Sequence, residues 1–102
     1  PERVRSQVEG ASVMGLSIAK HTEITFKDGR VQQSNFGDYK VLRIGEGAMD
    51  VRVHIMPHGI EVPSSGVGEP GVPPFAPAFT NAVFAATGKR IRNLPLGEQL
   101  SA

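Results

Sequence analysis

The stretch from Gly66 to Ala78 constrains the fold of this chain most. It reads Gly-Val-Gly-Glu-Pro-Gly-Val-Pro-Pro-Phe-Ala-Pro-Ala. Glycine lets the backbone take unusual dihedral angles or approach a neighbour closely, whereas proline fixes φ and cannot donate a hydrogen bond. The one charged side chain in the stretch is Glu69. We therefore expect a loop that presents the carboxylate of Glu69.

This stretch joins a long loop to a helix. Residues 57–74 are rich in Pro, Gly and Ser, and a loop of more than about 12–15 residues in a compact domain is usually functional or disordered. Its apolar flanks favour a functional loop. A helix is predicted over 75–87, since proline is tolerated in a first turn and Gly88 is a typical C-terminal cap. Its predicted apolar side comprises Phe75, Phe79, Ala82, Val83 and Ala86.

Apolar residues at three- and four-residue spacing predict an earlier helix over residues 4–19. Two glycines lie within it, Gly10 and Gly15. Each costs about 1 kcal/mol relative to alanine in a helix interior. Two interpretations therefore remain open. Either the helix is intrinsically weak, or the glycines allow close approach of another backbone or a cofactor.

Alternation of polar and apolar residues predicts a hairpin over residues 21–34. Asp28-Gly29 is a strong turn signal, because the turn that suits twisted strands needs positive φ. The predicted strands are 21–27 and 30–34, and a third strand is predicted at 51–56, where Val-Arg-Val-His-Ile-Met alternates. Residues 35–49 lack a clear period and are predicted to be irregular. Residues 93–102 are predicted to form an exit tail.

These elements predict an α+β fold in which two buried helices pack with a small antiparallel sheet. The stretches 8–19 and 75–86 carry a single charge between them, Glu9. A helix that is apolar nearly all round needs burial on all sides. A 102-residue chain offers little material for that. We therefore expect a fragment or subunit that packs against more protein, here part of a larger domain.

Composition excludes several functional classes. The net charge is +1, from 11 basic and 10 acidic residues that are mixed along the chain. A nucleic-acid surface needs clustered basic residues, and only residues 89–92 cluster here, so no nucleic-acid partner is predicted. With no cysteine, the chain cannot itself ligate an iron–sulfur cluster. No apolar run approaches the roughly 20 residues of a membrane span, so none is predicted.

Two motifs suggest chemistry that their context contradicts. Gly66-x-Gly68-x-x-Gly71 matches the dinucleotide-binding pattern, but that pattern must open directly into a helix, and prolines occupy this place. His54 and His58 would share a helix face, but their segment reads as a strand broken by Pro57, which would keep the rings apart. No metal ligand is therefore predicted within this chain.

Glu69 remains as a single candidate base just before a predicted helix. A single carboxylate near its operating pKa suits proton abstraction. The alternative interpretation is a structural loop carboxylate. The residue pattern alone leaves both open.

Six segments of the chain together form a recognisable pattern. They are Gln7-Val8-Glu9-Gly10-Ala11, Gly15-Leu16, Asp28-Gly29-Arg30-Val31, Ser34-Asn35-Phe36-x-Asp38-Tyr39, Gly66-Val67-Gly68-Glu69-Pro70-Gly71 and Asn81-Ala82-x-x-Ala85-Ala86-Thr87-Gly88. Their most specific feature is the order of the Gln-Val-Glu-Gly and Gly-Glu-Pro elements around a hairpin. Over roughly residues 3–95 the chain thus resembles the C-terminal end of the large, molybdopterin-binding subunit of molybdenum hydroxylases, the xanthine dehydrogenase and aldehyde oxidoreductase superfamily. Within that superfamily it is most similar to the bacterial isoquinoline 1-oxidoreductase beta-subunit type.

The resemblance implies a role for each matching residue. Glu69 matches the family's general base, which deprotonates a molybdenum-bound hydroxide so that its oxygen attacks an electron-poor carbon of an N-heteroaromatic compound or an aldehyde. Gln7 matches a contact to the molybdopterin cofactor, and Val67 and Gly68 would line the pocket beside the metal. The family's cofactor is a molybdenum–molybdopterin, expected here in a dinucleotide form.

The resemblance also implies partners. The rest of the cofactor site would lie in the remainder of the large chain, and [2Fe-2S] clusters on an iron–sulfur subunit would take the electrons. The isolated chain is therefore expected to bind no molybdopterin tightly and to turn over no substrate. The compartment stays open between bacterial cytoplasm and periplasm.

A second hypothesis belongs to another class. The chain would then be a non-catalytic structural or interaction module derived from such a subunit. In that case the nearly uncharged helix at 75–86 would be covered by a self-dimer of the isolated chain.

Overall fold

The computed structural model describes residues 1–47 and 50–101. Four elements occur in order, helix α1 (Glu2–Lys20), strand β1 (Phe26–Lys27), strand β2 (Arg30–Val31) and helix α2 (Phe75–Thr87). The helices contact each other, and the strands form one antiparallel pair. The predicted α+β arrangement of two helices with a small antiparallel sheet is confirmed. No helix in the described ranges is long and apolar enough to cross a membrane.

Helix α1 carries most of the small core. Its buried residues are Ala11, Gly15, Leu16, Ser17 and Ala19. Gly15 lies so close to α2 that a Cβ atom there would be 2.6 Å from the Cβ of Phe75. Apart from its chain neighbours and the backbone of α1 itself, no described atom lies within 4 Å of the corresponding position at Gly10. Close approach of another element therefore explains Gly15 but not Gly10.

The hairpin turns where the sequence predicts it, at Asp28 and Gly29, which have φ of 50° and 74°. Both values are positive, as the twisted hairpin turn requires. The strands are only two residues long, with Phe26 opposite Val31 and Lys27 opposite Arg30, and are shorter than the predicted 21–27 and 30–34. At the next position the amide of Gln32 still donates to the carbonyl of Thr25 at 2.9 Å, but the amide of Thr25 donates to the side-chain Oε1 of Gln33 at 2.8 Å instead of to a backbone carbonyl.

The strand predicted at 51–56 does not form. This segment has no β partner in the described chain, and a lone strand leaves its backbone groups unpaired. A hydrogen bond of 3.2 Å from Arg5 Nη1 to the carbonyl of Val53 attaches it to α1 instead. Residues 35–47 are irregular, with turns. Ala48 and Met49, the end of the predicted irregular segment, lie outside the described residues.

Two further expectations differ from the structure. Helix α2 has no buried residue, although both helices were expected to be buried. Residues 93–101 do not lead away from the fold, because the amide of Leu96 donates to the carbonyl of Ala19 at 2.7 Å. Leu96 and Ile91 are 8% and 6% exposed and complete the core beside α1. Ala102, the last residue of the predicted tail, lies outside the described residues.

Candidate functional site

The candidate site is the place where the Glu69 loop runs along α1. Gln7, Ala11 and Gly15 are spaced by four residues and therefore lie one above another on one stripe of the helix. Each of them contacts one position of the segment 68–75. Gln7 Nε2 donates to the carbonyl of Gly68 at 3.4 Å. Gly71 lies against Ala11, and Phe75 lies against Gly15.

These three contacts run in the same direction along both segments. As the α1 position rises from 7 to 11 to 15, the loop position rises from 68 to 71 to 75. One four-residue step along an α-helix advances about 6 Å. The loop advances by a similar distance over three or four residues because it is folded into turns. Val72 N donates to Glu69 O at 3.2 Å, and Phe75 N donates to Val72 O at 3.1 Å. The second turn leads directly into α2.

Glu69 itself is exposed to solvent, one residue from the carbonyl that Gln7 contacts. Within the described residues no ion pair involves its carboxylate. Val67 precedes this contact and is 36% exposed. The structure thus brings Gln7 to Gly68, and chain connectivity places Val67 and Glu69 on either side. All four residues predicted for the site lie at one end of the α1–loop contact.

The loop backbone is open on its outer side. No described heavy atom lies within 4 Å of the position that a Cβ would take at Gly66 or at Gly68. At Gly71, in contrast, a Cβ would lie 2.6 Å from the Cβ of Ala11. The loop therefore has one face against α1 and one face that a large group could approach.

The histidines do not form a metal centre in the described structure. His54 and His58 are both exposed, and the ring Nδ1 of His58 lies 3.2 Å from the carbonyl of Gly59. No group of three His, Cys, Asp or Glu residues comes together within residues 1–47 and 50–101. The described residues thus offer a carboxylate and an amide at the loop but no set of protein ligands for a metal.

A polar turn at residues 34–39 was not predicted. The backbone amides of Ser34 and Asn35 both donate to Asp38 Oδ1 at 2.9 Å. These hydrogen bonds favour the carboxylate and hold the pKa of Asp38 below its ordinary value. Ser34, Asn35 and Asp38 are typical turn-forming residues, so their spacing could have indicated it.

A second polar contact joins the end of α1 to the segment that follows. The amide of Arg43 donates to Glu46 Oε2 at 2.6 Å and His21 Nε2 lies 3.4 Å from Glu46 Oε1. The Arg43 hydrogen bond, then the charges of His21 and Lys20, lower the pKa of Glu46 against the opposing effect of burial. One surface cavity is lined by residues within 24–39 and another by residues within 20–46 and 95–98, and neither is lined by residues 66–78. Both are therefore separate from Glu69.

Sequence reasoning missed the contact that joins the loop to the helix, between Ala11 and Gly71. The available signal was the run of small residues at four-residue intervals, Ala11, Gly15 and Ala19. Small residues on one helix stripe allow another backbone to come close. The sequence could not show which segment would occupy that stripe.

Comparison with known proteins gives this geometry a context. Residues 1–47 of this chain match the family of molybdopterin cofactor-binding domains. Over 101 residues the chain is 33% identical to the beta chain of isoquinoline 1-oxidoreductase of Brevundimonas diminuta, a match that covers 99% of the chain and 12% of the relative. It is 36% identical over 97 residues to a subunit of the nicotinate dehydrogenase of Pseudomonas putida, covering 94% of the chain and 8% of the relative.

A third relative is the aldehyde oxidoreductase molybdenum-binding subunit PaoC of Escherichia coli. It is 32% identical over 101 residues, covering 94% of the chain and 14% of the relative. The chain therefore spans between about a twelfth and a seventh of the length of these relatives. The matches include both segments of the candidate site, α1 and the Glu69 loop, since they extend over nearly the whole chain.

Proposed function

Because the chain is a molybdopterin-binding fragment of the molybdenum hydroxylase family, we propose that it supplies the general base, Glu69, for hydroxylation of a substrate carbon. The observation that carries this proposal is the contact between Gln7 and the carbonyl of Gly68. It joins the segment matched by the cofactor-binding domain to the loop that holds the carboxylate. We further propose that this chain is the C-terminal portion of its subunit.

The residues at the site fit one wall of a cofactor pocket. The open outer side of the loop at Gly66 and Gly68 leaves room for a large flat group to approach the backbone. Gln7 offers an amide at the edge of that surface, and Val67 offers apolar contact. Since these groups are exposed, the opposite wall must come from other protein. In this proposal Gln7, Val67 and Gly68 contact the cofactor, a molybdenum–molybdopterin in a dinucleotide form.

When bound, the molybdopterin cofactor supplies the two-electron oxidation of the substrate. The task of this chain is to accept a proton. The carboxylate of Glu69 takes the proton that the oxygen nucleophile loses as this oxygen bonds to the substrate carbon. Such positioned proton transfer typically contributes about 10²–10⁴-fold to a rate. The two turns between Glu69 and α2 hold the backbone of Glu69 in place for that transfer.

The names of the relatives support a substrate class. Isoquinoline and nicotinate are N-heteroaromatic compounds, and the third relative is named for aldehydes. We propose the same class here, an electron-poor carbon of an N-heteroaromatic ring or an aldehyde. The proposed partners are the remainder of the molybdopterin-binding subunit and an iron–sulfur subunit that takes the electrons. Helix α2 is apolar but has no buried residue, and Phe84 is 41% exposed, which supports a partner of this kind.

The test is Glu69→Gln in the assembled enzyme, with Glu61→Gln as the matched control. Both variants remove one negative charge from an exposed position of the same loop. Turnover per bound molybdenum is expected to fall by about 10²–10⁴-fold for Glu69→Gln and to stay near the original value for Glu61→Gln. Molybdenum content should be unchanged in both. A Glu69→Gln enzyme that keeps most of its turnover would disprove the assignment of the base.

A further inference from the structure

We propose that Gly71 is a positioning residue for Glu69. Because Gly71 has no side chain, the loop backbone packs directly against Ala11 of α1. This contact fixes the position of Glu69, two residues earlier, relative to Gln7. The inference rests on the proposed role of Glu69.

The contact leaves no room for a side chain. A Cβ at Gly71 would lie 2.6 Å from the Cβ of Ala11 and 4.0 Å from the Cα of Val8. Carbon atoms in ordinary contact are about 3.5–4.0 Å apart, so the loop would have to move outward by roughly 1 Å. Ala11 cannot give way by rotating, because its Cβ is fixed to the helix backbone and it is only 5% exposed. The displacement therefore falls on the loop.

Position 71 requires glycine because there is no space for a side chain, and not because the backbone there has an unusual dihedral angle. The glycines with positive φ are Gly29, Gly45, Gly88 and Gly97, so Gly71 has a dihedral angle that other residues adopt. Replacing it by alanine would therefore bring no backbone strain of its own. It follows that removing the opposing Cβ, by Ala11→Gly, should make room for alanine at position 71.

A displacement at Gly71 would reach Glu69 because the C-terminal end of the loop is fixed. Phe75, the first residue of α2, packs against Gly15, so the loop cannot shift freely towards α2. Towards the N-terminus, the amide of Val72 donates to the carbonyl of Glu69, so residues 69–72 form one turn and move together. A misplacement of about 1 Å can lower a reaction rate by about 10²-fold.

The experiment uses four variants of the assembled enzyme, Gly71→Ala, Ala11→Gly, the double variant and Gly10→Ala. Gly10→Ala is the control, because it adds the same methyl group one residue before Ala11, at a position that no other described element approaches within 4 Å. We expect Gly71→Ala to lower kcat per bound molybdenum by about 10²-fold, with a smaller change in KM. The double variant should return to within about threefold of Ala11→Gly alone, since roughly 1 Å of displacement is then relieved.

Hydrogen exchange measured by mass spectrometry gives a second readout that does not depend on activity. Backbone amides of residues 66–75 should exchange faster in Gly71→Ala and return to the Ala11→Gly level in the double variant. Equal kcat in Gly71→Ala and Gly10→Ala would overturn the proposal, as would a double variant as slow as Gly71→Ala. If the exchange pattern and its rescue appear while kcat does not change, the contact exists but does not position the base, and the proposal is wrong.

The base assignment fails in a different way. In that case Glu69→Gln keeps its turnover, whatever the exchange rates of residues 66–75 show. The two failures are therefore separable.

Discussion

Helix α1 is more charged than helix α2, yet α1 is the more buried of the two. Helix α1 carries five charged side chains, Glu2, Arg3, Arg5, Glu9 and Lys20, yet it holds five buried residues. Helix α2 has no charged residue and no buried one, and Phe84 is 41% exposed. Which helix is buried therefore depends on which segments of this chain pack against it, and not on its composition. The Glu69 loop and the 91–97 segment cover α1, while α2 keeps an apolar surface for another protein to cover.

The largest effect on stability is expected in α1. Leu16→Ala removes a side chain that is 9% exposed, and such core truncations cost about 2–5 kcal/mol. Val13→Ala in the same helix is the control, because Val13 is 51% exposed and should cost well under half as much. Chemical unfolding of the protein measures both free energies. Equal losses would show that α1 is not the buried helix.

Helix α2 should respond differently in the chain and in the complete subunit. Phe84 is partly exposed, and the guanidinium of Arg90 lies 3.9 Å from its ring centroid. Phe84→Ala should therefore cost only about 1 kcal/mol in the chain alone, the value of an exposed cation–π contact with limited burial. In the complete subunit the loss should approach the roughly 3–5 kcal/mol of a buried phenylalanine. The same small loss in both would contradict a covered α2.

A smaller effect separates the two glycines of α1. Gly10→Ala should stabilise the protein by up to about 1 kcal/mol, since alanine is the better helix former and the site is open. Gly15→Ala gains the same propensity but places its Cβ 2.6 Å from the Cβ and Cγ of Phe75. Thermal unfolding should therefore show a higher Tm for Gly10→Ala and a lower Tm for Gly15→Ala. Higher Tm values in both would mean that α2 does not approach α1 at Gly15.

The smallest effect concerns acid sensitivity of the turn at residues 34–39. The pKa of Asp38 is lowered in the folded state, so its contribution is complete above the ordinary value of about 3.9 and is lost as pH falls through the folded pKa. The amide NMR signals of Ser34 and Asn35 should therefore shift as the solution is acidified below about pH 4. Asp38→Asn should remove this shift. An unchanged shift in that variant would assign it to another group.

The sequence predicts those features that depend on neighbouring residues. The turn at Asp28-Gly29 follows from two residues that tolerate positive φ, and α2 ends at Gly88, whose φ is 72°. The exposed loop around Glu69 follows from its glycines and prolines. In each case the determining residues are adjacent in the chain.

Features that depend on distant residues could not be predicted in this way. The alternation at 51–56 is compatible with a strand, but a strand needs a partner, and Arg5 holds this segment instead. The return of Leu96 to Ala19 and the contact of Gly71 with Ala11 join positions more than 50 residues apart. The apolar composition of α2 predicts that more protein covers it, but it does not show which of its residues this chain leaves exposed.

The most direct test of the proposed base is chemical rescue of Glu69→Ala in the assembled enzyme. Truncation to alanine vacates the volume of the carboxylate of Glu69, which a small carboxylate can occupy. The measurement is the single-turnover rate per bound molybdenum, with added formate and with equal chloride as the control. We expect a rate at least about 10²-fold below the original that rises with formate and not with chloride. A Glu69→Ala enzyme as fast as the original without any added carboxylate would contradict the account.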